Sequence, residues 1–445
     1  MHLISHPVYR LEGEITLPGD KSISHRAIIL GAISKGQTLI EGCSMGEDCA
    51  ATLAAFRAMG VVSEQSSSGA LLIQGVGKYG LRPPSRPIDC GNSGTTMRLL
   101  AGILAAQPFD SILTGDESLQ KRPMARIQAP LQKMGALINA SPQHKAPLII
   151  GGGQILRGID YQMPVASAQV KSCLMLAGIY AQGITTLTEP NLTRNHTEKM
   201  FPLFGFNLKQ QYLDQGLSLD IVKQTDEGKG TSIKVPGDFS SAAFFIVAAT
   251  LIPQSTLILR NIGINETRIG LLQLLTQMGA NIQIMNERHF GHEKVADLNV
   301  KSAALHGITI SPRIIPMTID ELPILCIAAA CAEGATEIRG AQELRFKESD
   351  RIESMAQALK QLGIDVSVLE DGLFIQGIGA QNRLEGEKVL DSFGDHRVAM
   401  SLAIAGALSK QPVSINHAES IATSFPNFLS IADQICLNIR ENDTL

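Results

Sequence analysis

The chain has 445 residues, of which 44% are hydrophobic and 18% charged, with a formal net charge of −4; that is enough length for two cores and argues against nucleic-acid binding by a general basic field. Aromatic residues make up 4% and Trp is absent, which argues against base-stacking surfaces and predicts aliphatic, Ala-rich cores. The longest apolar runs, 242–252 and 322–332, fall short of the about 20 residues of a membrane span, and the N-terminal segment carries acids and lacks the apolar stretch of a secretory signal.

Residues 6–17 carry a strand pattern expected to pair with the second half of the chain. Pro18-Gly-Asp-Lys-Ser-Ile-Ser-His-Arg26 then runs into the apolar stretch 27–33. The same design, a short polar Gly- or Ser-rich segment leading into a small-residue apolar helix, returns at Cys90-Gly-Asn-Ser-Gly-Thr-Thr-Met-Arg98 and at Ala166-Ser-Ala-Gln-Val-Lys171. It returns again at Pro236-Gly-Asp-Phe-Ser-Ser241, Thr318-Ile-Asp-Glu-Leu-Pro323 and Phe393-Gly-Asp-His-Arg397. The copies recur at roughly 75-residue steps, and self-similarity at a fixed period marks a repeat architecture.

Within the steps a second helix ends in a Gly-led strand. Phe56-Arg-Ala-Met-Gly-Val-Val62, Leu131-Gln-Lys-Met-Gly-Ala-Leu137, Leu274-Leu-Thr-Gln-Met-Gly-Ala280 and Leu359-Lys-Gln-Leu-Gly-Ile364 are the clearest copies, with Leu203-Phe-Gly-Phe-Asn207 shortened. Gly supplies the left-handed helix cap, and the alternation that follows reads as half-buried strand. Pro18-Gly-Asp-Lys-Ser22 matches Pro236-Gly-Asp-Phe-Ser240 at an offset of about 218 residues, so the chain reads as two halves of three units. The expected domains are 1–19 plus 237–445, and 20–236, crossing at the two Pro-Gly-Asp turns.

Helix N-termini present unpaired N–H groups and the positive end of the dipole, so they attract anions. Six of them, several armed with cations, suggest a cleft for more than one anionic group. Lys21 and Arg26 sit where the dipole disfavours a cation, which favours a bound anion over a solvated face, and Ser22 can cap that helix. The G-x-x-x-x-G-K-[ST] spacing of a nucleotide-binding P-loop is missing. Gly91 and Gly94 around Asn92 and Ser93 allow a nest of inward N–H groups, although an ordinary cap has the same look. Arg122 is expected at a helix start with Pro123 in the first turn. Lys347 and Arg351 are expected on one helix face, with Glu348 beside Arg351, which is also how a solvated salt-bridged face looks. Asp395-His396-Arg397 makes the sixth unit basic. Asp320, next to Glu321, is either a favourable N-terminal carboxylate or a general base.

Seven Cys at 43, 49, 90, 173, 326, 331 and 436 form no C-x-x-C pair and read as buried free thiols in a reducing cytosol. His289-Phe-Gly-His292-Glu293 is the one tight His pair and reads as a surface loop, not a metal site.

Eight motifs now stand in order: L-P-G-D-K-S-x-S-H-R, G-N-S-G-T-x-x-R, K-R-P-M, S-A-Q-V-K-S, R-x-H-T-E-K-M, D-E-L-P, R-x-K-E-S-D-R and G-D-H-R-x-A-M. Together they cover nearly the whole chain, which resembles the enolpyruvyl transferases, most closely the branch acting on 3-phosphoshikimate. The resemblance implies a two-domain inside-out α/β barrel built from six βαβαββ repeats, three per domain with pseudo-threefold symmetry, joined by a two-strand hinge. It implies transfer of the carboxyvinyl group of phosphoenolpyruvate to the 5-hydroxyl of 3-phosphoshikimate by addition–elimination, with release of phosphate, in aromatic amino-acid biosynthesis. No metal or organic cofactor, nucleic acid or membrane is expected, and a cytoplasmic monomer is.

By the same resemblance, Lys21, Ser22, Arg26, Ser167, Ala168, Gln169, Arg194, Asp320 and Lys347 bind 3-phosphoshikimate. Lys21, Asn92, Gly94, Arg122, Gln169, Arg351 and Arg397 bind phosphoenolpyruvate. Asp320 takes the hydroxyl proton, while Glu348 and Lys21 serve methylene protonation and phosphate departure. The chain departs from the glyphosate-sensitive branch at Ser93, Leu99 and Thr423, which stand for Ala, Pro and a Lys. Two rivals remain at this point. The sister enzyme acting on UDP-N-acetylglucosamine carries K-N-A where Lys21-Ser22 stands, and a reactive loop Cys that 121–124 lacks. A non-catalytic polyanion binder is disfavoured by the negative net charge.

Overall fold

A computed structural model describes residues 1–442 apart from Ser68, Gln215, Lys223 and Thr225. The chain divides into two compact units. One comprises Met1–Pro18, Pro236–His289 and Lys294–Leu445; the other comprises Gly19–Val235 and Phe290–Glu293.

Each unit carries three four-stranded sheets of one design. In all six the edge strand runs parallel to its neighbour, and that neighbour runs antiparallel to the third. The sheet Ile88–Asp89, Ser111–Thr114, Leu148–Gly151 and Leu137–Asn139 shows the βαβαββ logic locally, because its strands and the helices between them come from one stretch of chain. A parallel neighbour requires a crossover, which the apolar helix supplies; the last two strands close as an antiparallel pair. Three sheets are completed from afar. Ser232–Lys234 pairs with Lys35–Glu41, and Leu3–Ser5 lies between Val413–Asn416 and Ile439–Glu441. Glu12–Thr16 pairs with Thr256–Gly263, so the N-terminal strands do join elements from the second half of the chain.

The six polar segments all run into helices: Lys21–Ile33, Gly94–Leu104, Ala168–Gly178, Phe239–Leu251, Leu322–Cys331 and His396–Ala407. Phe239–Leu251 and Leu322–Cys331 are buried almost throughout, as expected of helices apolar on every face. Within each unit the sheets cover the helices from outside, as where strand Leu71–Val76 buries Leu71 and Ile73 on the side of helix Lys21–Ile33, and each unit has its own apolar core. Small Ala and Gly side chains let these central helices approach one another. That is the inside-out arrangement, with helices at the centre and sheets as the shell. The five helix-terminating glycines, at 60, 135, 205, 279 and 363, all hold positive φ between 79° and 101°, the conformation a left-handed cap requires.

Two expectations change. His289 lies in the strand Asn281–Phe290, which neighbours Glu293–Lys301 in its sheet, so the His pair flanks the turn of a hairpin instead of occupying an open loop. Five of the seven cysteines are buried, but Cys43 is half-buried and Cys436 exposed. Burial pushes the Cys173 thiol up to about 12, which keeps it inert. No single helix among the described residues is long and apolar enough to cross a membrane.

Candidate active site

In the unit built on Gly19–Val235, Asp20 caps the first helix, its carboxylate accepting from the Ile23 N–H at 2.9 Å. Ser22 is therefore not the cap, since Asp two residues earlier takes that place; its carbonyl accepts from Arg26 Nη1 at 2.9 Å. Lys21 Nζ donates to Asp48 Oδ2 at 3.0 Å, and both side chains keep some exposure. Arg26 is buried. Its Nε donates to Thr197 Oγ1 at 2.6 Å and its Nη2 to Ser172 Oγ at 2.7 Å, which fixes the plane of the guanidinium. Beside it His25 is buried with Nδ1 2.7 Å from Thr52 Oγ1. Burial first, then the charges of Lys21 and Arg26, hold His25 well below its ordinary pKa, so it stays neutral.

The Gly91–Gly94 segment forms a turn and a cap. Gly91 has φ of 55°, whereas Gly94 already begins the helix, so only one of the two glycines turns the chain left-handed. Ser93 caps that helix by accepting from the Thr96 N–H at 3.1 Å. Arg122 is nearly buried and approaches from the extended link between helices Glu117–Lys121 and Ala125–Lys133. The expectation of Arg122 at a helix start with Pro123 in its first turn is thus corrected, because the helix begins only at Ala125. That link lets Arg122 wrap Asn92, with Nη1 donating to the Asn92 carbonyl at 3.1 Å and Nη2 to Asn92 Oδ1 at 2.5 Å. Asn92 Nδ2 in turn donates to Asp116 Oδ2 at 2.7 Å.

Gly94 lies beneath two guanidinium groups: a Cβ there would stand 2.8 Å from Arg98 Nη1 and 3.4 Å from Arg122 Nη1. Arg98 closes the G-N-S-G-T-x-x-R motif, whose spacing alone gives it no role. It donates through Nη1 to Gln169 Oε1 at 2.6 Å, and Gln169 Nε2 donates to Thr95 Oγ1 at 2.9 Å. Ser167 caps the helix that begins at Ala168, accepting from the Val170 N–H. Lys21, Asn92, Arg122 and Gln169 are thus all positioned at or beside three helix N-termini. Arg194 is half-buried on the connection between strand Ile184–Glu189 and helix His196–Met200.

In the other unit the centre is Asp320. Lys347 Nζ lies 3.7 Å and Arg351 Nη1 3.6 Å from Asp320 Oδ1; Arg397 Nη2 lies 3.6 Å from Oδ2, and its Nη1 donates to the Asp320 carbonyl at 2.9 Å. Glu321, fully buried, accepts from Ser240 Oγ, and Arg268 Nη2 donates to that same Ser240 oxygen at 2.6 Å. Lys347 and Arg351 do not share a helix face. Asp350 caps helix Arg351–Gln361 by accepting from the N–H groups of Ile352 and Glu353, so Lys347 falls outside it and the two cations meet at Asp320.

Nor is Arg351 a solvated surface charge, being 1% exposed. Its Nε donates to Asp395 Oδ2 at 2.8 Å and its Nη2 to Glu348 Oε2 at 2.7 Å and Asp395 Oδ1 at 3.2 Å. Burial opposes its charge, but Asp395, Glu348 and Asp320 outweigh that and raise its pKa. Nη1 is the exception. It is buried, and 3.6 Å to Asp320 is too long for a hydrogen bond, so it has no such partner among the described residues. Thr423 turns its hydroxyl back to the Ser420 carbonyl.

The family model for EPSP synthase (3-phosphoshikimate 1-carboxyvinyltransferase) matches residues 6–431. The chain is 52% identical over 441 residues to the 3-phosphoshikimate 1-carboxyvinyltransferase of Legionella pneumophila strain Lens, covering 99% of each chain. Its identity to the protein of the same name from Methylococcus capsulatus is 50% over 433 residues, 97% of each. Among solved structures, EPSP synthase from Acinetobacter baumannii superposes with a TM-score of 0.86 at 46% identity over 99% of both chains. The enolpyruvyl transferase NikO from Streptomyces tendae superposes with a TM-score of 0.80 at 16% identity over 100% of this chain and 99% of that one, a likeness of fold alone.

Proposed function

The chain belongs to the EPSP synthase family, and from that premise we propose that it transfers the carboxyvinyl group of phosphoenolpyruvate to the 5-hydroxyl of 3-phosphoshikimate, releasing phosphate. The observation that carries the site assignment is Arg351 Nη1, a buried guanidinium nitrogen without a hydrogen-bond partner among the described residues. Leaving such a donor unmet costs about 1–3 kcal/mol or more, a cost that an anionic ligand oxygen removes.

In this reading Arg122, Arg351 and Arg397, with Asn92, Gly94, Gln169 and Lys21, take the phosphate and carboxylate of phosphoenolpyruvate. Planar guanidinium forks match both groups bidentately. Lys21, Ser22, Arg26, Ser167, Ala168, Gln169 and Arg194 take 3-phosphoshikimate, and Asp320 and Lys347 reach its hydroxyls. When the incoming carboxylate recruits Arg351 and Arg397, the Asp320 oxygens are released to accept the proton of the 5-hydroxyl. The alkoxide oxygen bonds to C2 of phosphoenolpyruvate while C3 gains a proton from the side of Glu348 and Lys21. Loss of a C3 proton and of the C2–phosphate bond then restores the double bond. Fixed cations serve this chemistry because negative charge moves within the site without solvent having to reorganise. A cytoplasmic monomer completes the proposal.

The test is phosphate release from phosphoenolpyruvate with each acceptor separately. Turnover with 3-phosphoshikimate and none with UDP-N-acetylglucosamine is expected; the reverse would assign the chain to the sister activity, and release of nothing would leave a binding protein.

A further inference from the structure

Lys171, Glu189 and Glu198 form a charge cluster that no step of the transfer uses. All three side chains are 1% exposed, and Lys171 Nζ lies 2.9 Å from Glu189 Oε1 and 2.7 Å from Glu198 Oε1. They come from helix Ala168–Gly178, strand Ile184–Glu189 and helix His196–Met200. Burying two carboxylates around one ammonium is a poor route to stability, since the desolvation cost rivals or exceeds the attraction. Burial accordingly pushes the Glu189 carboxyl up, against the opposing pull of Lys171. Such a cluster persists for what it holds in place.

What it holds is the segment 193–198. Glu189 Oε2 accepts from Thr193 Oγ1 at 2.7 Å, its Oε1 accepts from the Thr193 N–H at 3.4 Å, and Lys171 Nζ donates to the Thr193 carbonyl at 3.5 Å. At the other end Glu198 meets the same ammonium. Both ends are therefore tied to Lys171, with Arg194 between them. The residues adjoining the cluster grip Arg26: Thr197, next to Glu198, and Ser172, next to Lys171, accept from its Nε and Nη2 and lie 2.7 Å from each other.

We infer that Lys171, Glu189 and Glu198 are positioning residues that set the spacing of Arg26 and Arg194, and so select an acceptor carrying a phosphate. This rests on the assignment of those two cations to 3-phosphoshikimate under the proposed function. The surrounding phosphoenolpyruvate contacts, Asn92 and Arg122, are fixed by other partners and are expected to be indifferent to the cluster.

Lys171→Met leaves two buried carboxylates facing each other; Glu189→Gln keeps the shape and removes one charge, and serves where the first variant does not fold. For Lys171→Met the KM for 3-phosphoshikimate is expected to rise at least tenfold, and for Glu189→Gln at least threefold. The KM for phosphoenolpyruvate should stay within twofold. Calorimetric titration of 3-phosphoshikimate onto the same proteins reads the change in Kd without turnover. Equal rises in both KM values, or an unchanged Kd in a folded variant whose Tm has fallen, would reduce the cluster to scaffolding and overturn the inference. A wild type that binds 3-phosphoshikimate yet releases no phosphate would instead defeat the proposed reaction and leave this inference standing.

Discussion

Arg351→Lys keeps the charge and removes the fork. Arg351 spends Nε and Nη2 on Asp395 and Glu348 through three bonds of 2.7–3.2 Å and offers Nη1 alone. A lysine ammonium cannot span both carboxylates and also reach a ligand, so it keeps one of the three bonds at best. Losing two hydrogen bonds to charged groups costs roughly 3 kcal/mol or more of stability, at about 1.5–3 kcal/mol each. Asp395 also caps helix His396–Ala407 through the Arg397 N–H, which limits how far it can relax toward a shorter partner. The lost contact to the substrate anion should remove about 2–4 kcal/mol of transition-state stabilisation, or roughly 30- to 1000-fold in kcat/KM for phosphoenolpyruvate. Steady-state phosphate release at saturating 3-phosphoshikimate measures this, with thermal unfolding as the check on stability. A folded Arg351→Lys enzyme within threefold of wild type would refute the idea that Nη1 awaits a ligand oxygen.

Arg122→Ala removes both donors to Asn92 and should raise the KM for phosphoenolpyruvate far more than that for 3-phosphoshikimate, by about 2–4 kcal/mol in transition-state terms; equal weakening would place Arg122 elsewhere. Gly94→Ala puts a methyl 2.8 Å from Arg98 Nη1, so the guanidinium must shift. The inhibition constant of glyphosate, longer than phosphoenolpyruvate, should rise more than the KM for phosphoenolpyruvate, and parallel rises would show that Gly94 does not line a shared site. His25 is held neutral in the fold, with its pKa depressed below the unfolded value. The unfolded chain therefore takes up a proton that the fold does not as pH drops below about 6.5, and stability falls with pH there. Between pH 7.5 and 5.5 denaturant unfolding should show about 1.4 kcal/mol more loss in wild type than in His25→Gln; identical losses would mean that His25 titrates in the fold.

The periodic architecture was legible because each repeat carries its own signals, a polar helix start and a Gly cap, within a short stretch of chain. Strand completion was less so: nothing local in Ser232–Lys234 says that it pairs with Lys35–Glu41. Where the site was misjudged, a second local signal competed. Asp20 outbid Ser22 as a cap, and Asp350 started its helix after Lys347, since a carboxylate accepting backbone N–H groups fixes a helix start wherever it falls. Arg98 and Lys171 were missed for another reason. Their partners Gln169, Glu189 and Glu198 come from other elements, and spacing in sequence carries no record of contacts made by tertiary packing.

The reaction itself is tested most directly by running wild-type enzyme with phosphoenolpyruvate and 3-phosphoshikimate in deuterium oxide and identifying the product by NMR. The expected result is one inorganic phosphate per carboxyvinyl ether formed at the 5-oxygen, with deuterium in the ether's methylene, because C3 is protonated from solvent-exchanged groups during addition. Phosphate release without the ether, or an ether whose methylene carries no deuterium, would contradict addition–elimination at this site.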